Sequence, residues 1–215
     1  MVWTTPDRDR GNAISGVEVT FKLGLTGSIG MGKSTTADLF VELGCALWDA
    51  DKAVHRLYEK GGAAVAEIGA VFPSVVQNDC VSRDVLRELI QQDPSVLPRI
   101  EKIVHPLVAA DRADLLNRTT HDITVLDIPL LFETGGDKEM DAVACVSTTD
   151  QEQERRVLAR GKMTADQFHQ IRHKQMPNVE KCARADFVIV TDTLEHARQQ
   201  VQTITDQIRQ GLADA

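Results

Sequence analysis

A chain of 215 residues with 42% hydrophobic side chains can bury one sizeable core, which predicts one core domain carrying insertions. Its formal net charge of −8 excludes a surface built for general attachment to nucleic acid or anionic membrane, so phosphate binding must be local. Cys45, Cys80, Cys145 and Cys182 are widely spaced without a C-x-x-C pair, which predicts reduced thiols in a cytosolic protein rather than a zinc site or a disulfide framework.

Residues 1–18 are polar and aperiodic and read as a flexible extension outside the fold, with no apolar core of a signal peptide. No uninterrupted apolar run is long enough to span a bilayer, which predicts a soluble protein. The organising stretch is LGLTGSIGMGKSTT, residues 23–36. Gly27, Gly32, Lys33 and Ser34 satisfy G-x-x-x-x-G-K-[ST], the spacing of a phosphate-binding loop between a strand and a helix. Gly27, Gly30 and Gly32 let backbone N–H groups turn inward without a Cβ in the way, and Met31 and Thr35 complete the expected ATP contacts. The following helix places its positive end at the phosphates, Lys33 reaches the β and γ groups, and the Ser34 hydroxyl suits Mg²⁺. The nucleotide is therefore Mg-ATP or Mg-GTP. A dinucleotide fingerprint fits worse, because its third glycine would fall at Thr35.

The first helix is predicted over Ser34 to Leu43, ending at Gly44, and CALW then forms a strand leading into Asp49 and Asp51. These two carboxylates read equally well as acceptors near the phosphates or as helix N-caps. From Lys52 to Arg118 the pattern is helical, with breaks at Gly61-Gly62, Phe72-Pro73 and Asp93-Pro94 and no strand. His105-Pro106 is predicted to interrupt a helix, which leaves His105 either a cap or a ligand, and Arg83 is a second polar candidate. ITVLD ends a strand at Asp127, where a Mg²⁺-supporting aspartate is expected; Glu133 also reads as a surface carboxylate. AVACVST and DFVIVT continue the strand series before an amphipathic helix from Leu194, predicting a parallel sheet covered on both faces. The polar helical stretch between them carries Arg155, Arg156, Arg160 and Arg172, and reads as a lid over the γ-phosphate or as a solvated hairpin.

LTGSIGMGKST, DAD at 49–51, Arg83 with Leu86, His105-Pro106, DIPLLFE at 127–133, Gln153 with Arg156 and Arg160, Gln175-Met176 and ADFVI at 185–189 occur in an order that resembles the dephospho-coenzyme A kinases over nearly the whole chain. Two stretches depart from that pattern. NDCVS at 78–82 replaces an Asp-Gly pair, and Thr191-Asp192 replaces an asparagine. The resemblance implies an α/β P-loop NTPase fold of the nucleoside monophosphate kinase type, with a five-stranded parallel sheet, a helical substrate region and a lid. It implies a core at 19–51, 119–150 and 177–215, a helical region for the coenzyme A moiety at 52–118, and a lid at 151–176.

The implied reaction moves the γ-phosphoryl of ATP to the 3′-hydroxyl of dephospho-coenzyme A. Asp51 would orient or deprotonate that hydroxyl, Lys33, Arg156 and Arg160 would neutralise developing charge, and Ser34 with Asp127 would hold Mg²⁺. Arg83 and His105 join Asp51 as expected substrate contacts. ATP and dephospho-coenzyme A are the expected partners, with no nucleic acid and no membrane, for a monomer in the cytoplasm. A kinase for another nucleoside or nucleotide and a non-catalytic nucleotide sensor are the alternatives; a GTPase would need an N-K-x-D motif that is missing.

Overall fold

The structure is a computed structural model that describes residues 20–161 and 163–214; the expected extension at 1–18 lies outside the described residues. In chain order the elements are β1 (Phe21–Thr26), α1 (Lys33–Glu42), β2 (Ala46–Asp49), α2 (Ala50–Tyr58), α3 (Ala63–Val71), β3 (Val76–Gln77), β4 (Cys80–Val81), α4 (Arg83–Gln92) and α5 (Val96–Arg118). They continue with β5 (Ile123–Asp127), β6 (Ala142–Ser147), α6 (Asp150–Ala159), α7 (Ala165–Lys174), α8 (Asn178–Arg184), β7 (Phe187–Val190) and α9 (Leu194–Ala213). The described chain forms two compact units, Trp48–Arg118 and the remainder.

The sheet-bearing unit is built on β1, whose residues are almost all buried because the strand is central. The sheet order is β2-β5-β1-β6-β7, with β1 parallel to both β5 and β6, and β6 parallel to β7. Parallel strands need crossovers and carry helices on their faces, which explains the near-continuous apolar runs of β5 and β6. Helix α9 presents Ala197, Val201, Ile204 and Ile208 at helical spacing to a core that includes Phe40, Leu25 and Val125. Val201, Ile204 and Ile208 each contribute about 1.5–3 kcal/mol by leaving water.

The second unit is helical, and its core joins Leu57, Ile68, Val75, Leu86, Val96, Ile100 and Val104. The expected breaks at Gly61-Gly62, Phe72-Pro73 and Asp93-Pro94 fall between helices. Two expectations fail here. A strand pair exists, β3 with β4, antiparallel through Val76 and Val81, and turned by Asn78 and Asp79 at φ 50° and 63°. Strands of two residues carry no alternation to read, but two consecutive positive-φ residues of the Asn/Asp type suit a tight hairpin turn. His105-Pro106 does not interrupt α5 either; Pro106 lies inside a continuous 23-residue helix. Proline removes one intrahelical hydrogen bond, yet Pro106 is exposed, so water can serve the carbonyl it leaves, while Ile100 and Val104 hold the buried face.

Candidate active site

Strand β1 delivers the chain into the glycine loop, and its register pairs Leu25 with Asp127, so the loop and the aspartate leave neighbouring strands side by side. Gly30 and Gly32 take φ 80° and 91°, in the left-handed region that side chains disfavour. A Cβ on Gly30 would also stand 2.5 Å from Val157 Cγ2, so α6 can pack against the loop only with glycine there. Helix α1 then starts at Lys33 with Gly32 as its N-cap and no side-chain cap, leaving its first N–H groups to an external acceptor. Ser34 and Thr35 are exposed in that first turn.

Lys33 Nζ forms an ion pair with Asp127, whose side chain is 4% exposed against 16% for Lys33. The two groups the sequence reading set for phosphate and metal thus meet. Met31 does more than fill a variable position. Its side chain is buried, its Sδ accepts from Thr148 N at 3.2 Å, and its carbonyl accepts from Thr191 Oγ1 at 2.8 Å. Arg156 is half-buried and donates to Thr191 Oγ1 at 3.1 Å, to Thr191 O at 2.5 Å and to Glu152 at 2.7 Å. It therefore fixes the stretch after β7 against the loop. Arg155 is exposed and pairs with Glu152, and the bonds from Arg155 and Arg156 hold the Glu152 carboxyl down at about 2. Arg160 is exposed at the C-terminal end of α6.

Several props of the loop escaped the sequence reading. Gln153, 1% exposed, donates to Ile29 O at 2.7 Å, and Gln175 Oε1 accepts from Ile29 N at 3.1 Å. Gln153 and Gln175 had served only as markers of resemblance. A cavity of about 320 Å³ opens here, lined by Ser28, Gln153, Arg172, His173, Gln175 and Asn178. Glu133 is no free surface carboxylate: it pairs at 2.8 Å with Lys181, which is fully buried. Burial alone would raise the Glu133 carboxyl, but bonds from Lys181 and from Met176 N hold it below the ordinary carboxylate range. No spacing rule flags a single lysine in NVEKCARADFV as buried.

The remaining candidates belong to the helical unit. Asp49 is the N-cap of α2, its side chain accepting from Lys52 N at 2.9 Å, whereas Asp51 lies exposed in the first turn. The cap reading thus holds for Asp49 and leaves Asp51 available. Arg83 opens α4, exposed, with its guanidinium 5.9 Å from the Tyr58 ring centroid. His105 is exposed in mid-helix, so it caps nothing.

Among the described residues no cluster of His, Cys, Asp and Glu forms a protein-only metal cage, and no helix is long and apolar enough to cross a membrane. Ser34 and Asp127 are oxygen donors only, too few for a cage, which fits a Mg²⁺ ion completed by phosphate and water.

Comparison with known proteins agrees with this geometry. A family model described as Dephospho-CoA kinase matches residues 21–196. A dephospho-CoA kinase of Ruegeria pomeroyi is 68% identical over 193 residues, 90% of this chain and 98% of the relative, and one of a Jannaschia species is 52% identical over 194 residues, 90% and 100%. A crystal structure from Thermus thermophilus superposes with a TM-score of 0.78 at 30% identity, covering 86% of this chain and 96% of that one. The dephospho-CoA kinase of Campylobacter jejuni, at 24% identity and TM-score 0.67 over 88% and 98%, shares the fold. With the phosphate loop, the parallel five-stranded sheet and a match across 21–196 in hand, the chain belongs to the dephospho-CoA kinase family.

Proposed function

We propose that the protein transfers the γ-phosphoryl group of ATP to the 3′-hydroxyl of the ribose of dephospho-CoA, giving CoA and ADP. The observation that carries this reading is the convergence of the glycine loop, Lys33 and Asp127 in a chain of this family. Phosphoryl transfer asks a protein mainly for positioning and for positive charge where negative charge develops. Backbone N–H groups at the start of α1 and the Lys33 ammonium supply that charge at the β and γ phosphates, with Gly27, Gly30, Met31, Gly32, Ser34 and Thr35 shaping the cradle. As ATP enters, Lys33 exchanges part of its pairing with Asp127 for phosphate oxygens.

Ser34 and Asp127 would hold Mg²⁺, which when bound offsets phosphate charge. Asp51 orients the acceptor hydroxyl and takes its proton; it is exposed and, unlike Asp49, is not spent on a cap. Arg160 and Arg156 act from the 151–176 segment, which we read as the lid, and residues 52–118, with Arg83 and His105, as the region for the coenzyme A moiety. The protein acts as a cytoplasmic monomer.

The test mixes the protein with Mg-ATP and, separately, dephospho-CoA, AMP, adenosine or pantetheine, and identifies products by mass. A gain of one phosphate on dephospho-CoA, in strong preference to AMP, is expected. Preferential phosphorylation of AMP would move the reading to a nucleotide kinase, and ATP binding without acceptor-dependent ADP would move it to a sensor.

A further inference from the structure

Lys181 sits on α8 with no exposed surface, its Nζ 2.8 Å from Glu133 Oε1 and 3.2 Å from Pro129 O. Burying an ammonium is costly, and an apolar side chain of similar length would fill the space without that cost. What the apolar choice could not do is hold a carboxylate in place. The same Glu133 Oε1 accepts from Met176 N at 3.0 Å, so one oxygen ties α8 to the backbone just before it. A second brace joins the same segments: the Arg184 guanidinium lies 4.5 Å over the Phe132 ring and 3.0 Å from Asp137.

Residues 175–178 flank this anchor and reach the phosphate loop on the other side. Gln175 Oε1 accepts from Ile29 N at 3.1 Å, while Gln153 donates to Ile29 O at 2.7 Å, so the Ile29 backbone is gripped at both its donor and its acceptor. Asn178 Oδ1 accepts from Ser28 N at a longer 3.5 Å, and Asn178 Nδ2 donates to Ser147 Oγ at 3.0 Å. Two successive N–H groups at the entrance of the loop are thereby taken by side chains of one short segment. A loop this rich in glycine has little stiffness of its own.

We propose that residues 175–178 form a strap that presets the phosphate loop for ATP, and that the buried Glu133–Lys181 pair is the anchor of that strap. Glu133 and Lys181 are positioning residues, acting on the nucleotide through Met176 and Gln175. The inference rests on the reading of residues 27–35 as the ATP site.

The experiment compares Mg-ATP affinity, by calorimetric titration, with thermal unfolding in the full chain. Gln175→Leu removes the acceptor from Ile29 N at a half-buried position, and is expected to weaken Mg-ATP roughly tenfold, the worth of one such hydrogen bond. Glu133→Leu with Lys181→Met removes both charges, so no buried charge is left unpaired and the melting temperature should stay near that of the parent protein. It also removes the acceptor for Met176 N, so Mg-ATP binding should still fall by roughly tenfold. Adding Gln175→Leu to that pair should cost little more, because both changes release one strap.

A purely structural pair would leave ATP affinity at the parent value in the charge-free variant, and that result overturns the proposal. Losses that multiply to about a hundredfold in the triple variant overturn it too. If the charge-free variant does not fold, Gln175→Leu decides alone, unchanged affinity refuting the strap. A parent protein that binds no Mg-ATP would refute the underlying site reading instead.

Discussion

The two units spend their polar residues in opposite ways. Every buried polar or charged side chain among the described residues belongs to the sheet-bearing unit, including Asp127, Gln153, Lys181 and Thr191. The core of the helical unit is built from aliphatic and aromatic side chains, and its candidate residues Asp51, Arg83 and His105 are exposed on the helices. Buried polar groups must be satisfied, and once satisfied they fix backbone geometry, which suits a loop whose N–H groups must meet phosphates. In the helical unit polar side chains pair nearer the surface instead, as Asp111 does with Trp48 Nε1 at 2.7 Å and with Arg56 at 2.6 Å, while Asp51, Arg83 and His105 stay exposed. Substitutions at those buried polar groups should therefore disturb nucleotide affinity, and those at the exposed candidates of the second unit should separate turnover from ATP binding.

The largest effect tests that separation. Asp51→Asn keeps size and exposure but removes the proton acceptor, and turnover should fall roughly 10²- to 10⁴-fold, the usual worth of a general base, with ATP affinity and melting temperature unchanged. Asp49→Ala should do the reverse. It removes the bond to Lys52 N and should cost about 1 kcal/mol of stability, while the folded fraction keeps most of its activity. Steady-state kinetics beside chemical denaturation read both. Normal turnover in Asp51→Asn with loss in Asp49→Asn would reverse the roles.

A smaller contrast lies within α6. Arg160→Ala should lower the catalytic rate by roughly 10²- to 10³-fold with little change in ATP KM, as for loss of one donor aimed at developing charge. Arg156 has other bonds to lose. Its guanidinium holds Thr191, which in turn holds Met31 O, so Arg156→Ala should raise the ATP KM by roughly ten- to a hundredfold, the worth of a charge-assisted hydrogen bond. Arg155→Ala, which loses an exposed pair with Glu152, should change neither by more than a factor of about two. Near-normal turnover in all three variants would mean that the segment is a charged hairpin and no lid.

What could be read in advance divides instead by distance along the chain. The phosphate loop, β5 ending at Asp127 and the α/β alternation were legible because consecutive residues carry them: the loop chemistry needs its glycines, lysine and serine at fixed spacing. Lys181 with Glu133, and Gln153 with Ile29, were not legible as pairs, because they join residues distant in sequence that no local pattern connects. In the helical unit, breaks at glycine and proline could be read, but Pro106 shows the limit of the rule. A proline breaks a helix only when the packing of the flanking turns does not hold it, and Ile100 and Val104 are buried on one side of it. The hairpin at 76–81 was missed for the opposite reason, since its signal lies in the turn and not in its strands.

That turn gives the smallest and most local prediction. Asp79 stands at φ 63°, a conformation that asparagine and aspartate tolerate and that alanine adopts only at a cost. It also pairs with Lys60 at 3.0 Å, with both side chains about three-quarters exposed. Such a pair contributes about 0–1 kcal/mol and is screened by salt, so the backbone term should dominate. Asp79→Ala should lose about 1–2 kcal/mol, the left-handed penalty together with the weak pair. Asp79→Asn should lose no more than about 0.5 kcal/mol, and should match the parent in 1 M salt, where surface pairs are screened. Asp79→Gly relieves the strain but frees the unfolded chain and drops the pair, so its net change should fall within about 0.5 kcal/mol of zero. Urea denaturation at low and high salt resolves this series. If Asp79→Asn loses as much as Asp79→Ala and recovers in salt, the ion pair rather than the turn holds the hairpin. Mg-ATP affinity should be unchanged in every member, since the strain they relieve or add lies in the unit whose polar groups stay at its surface.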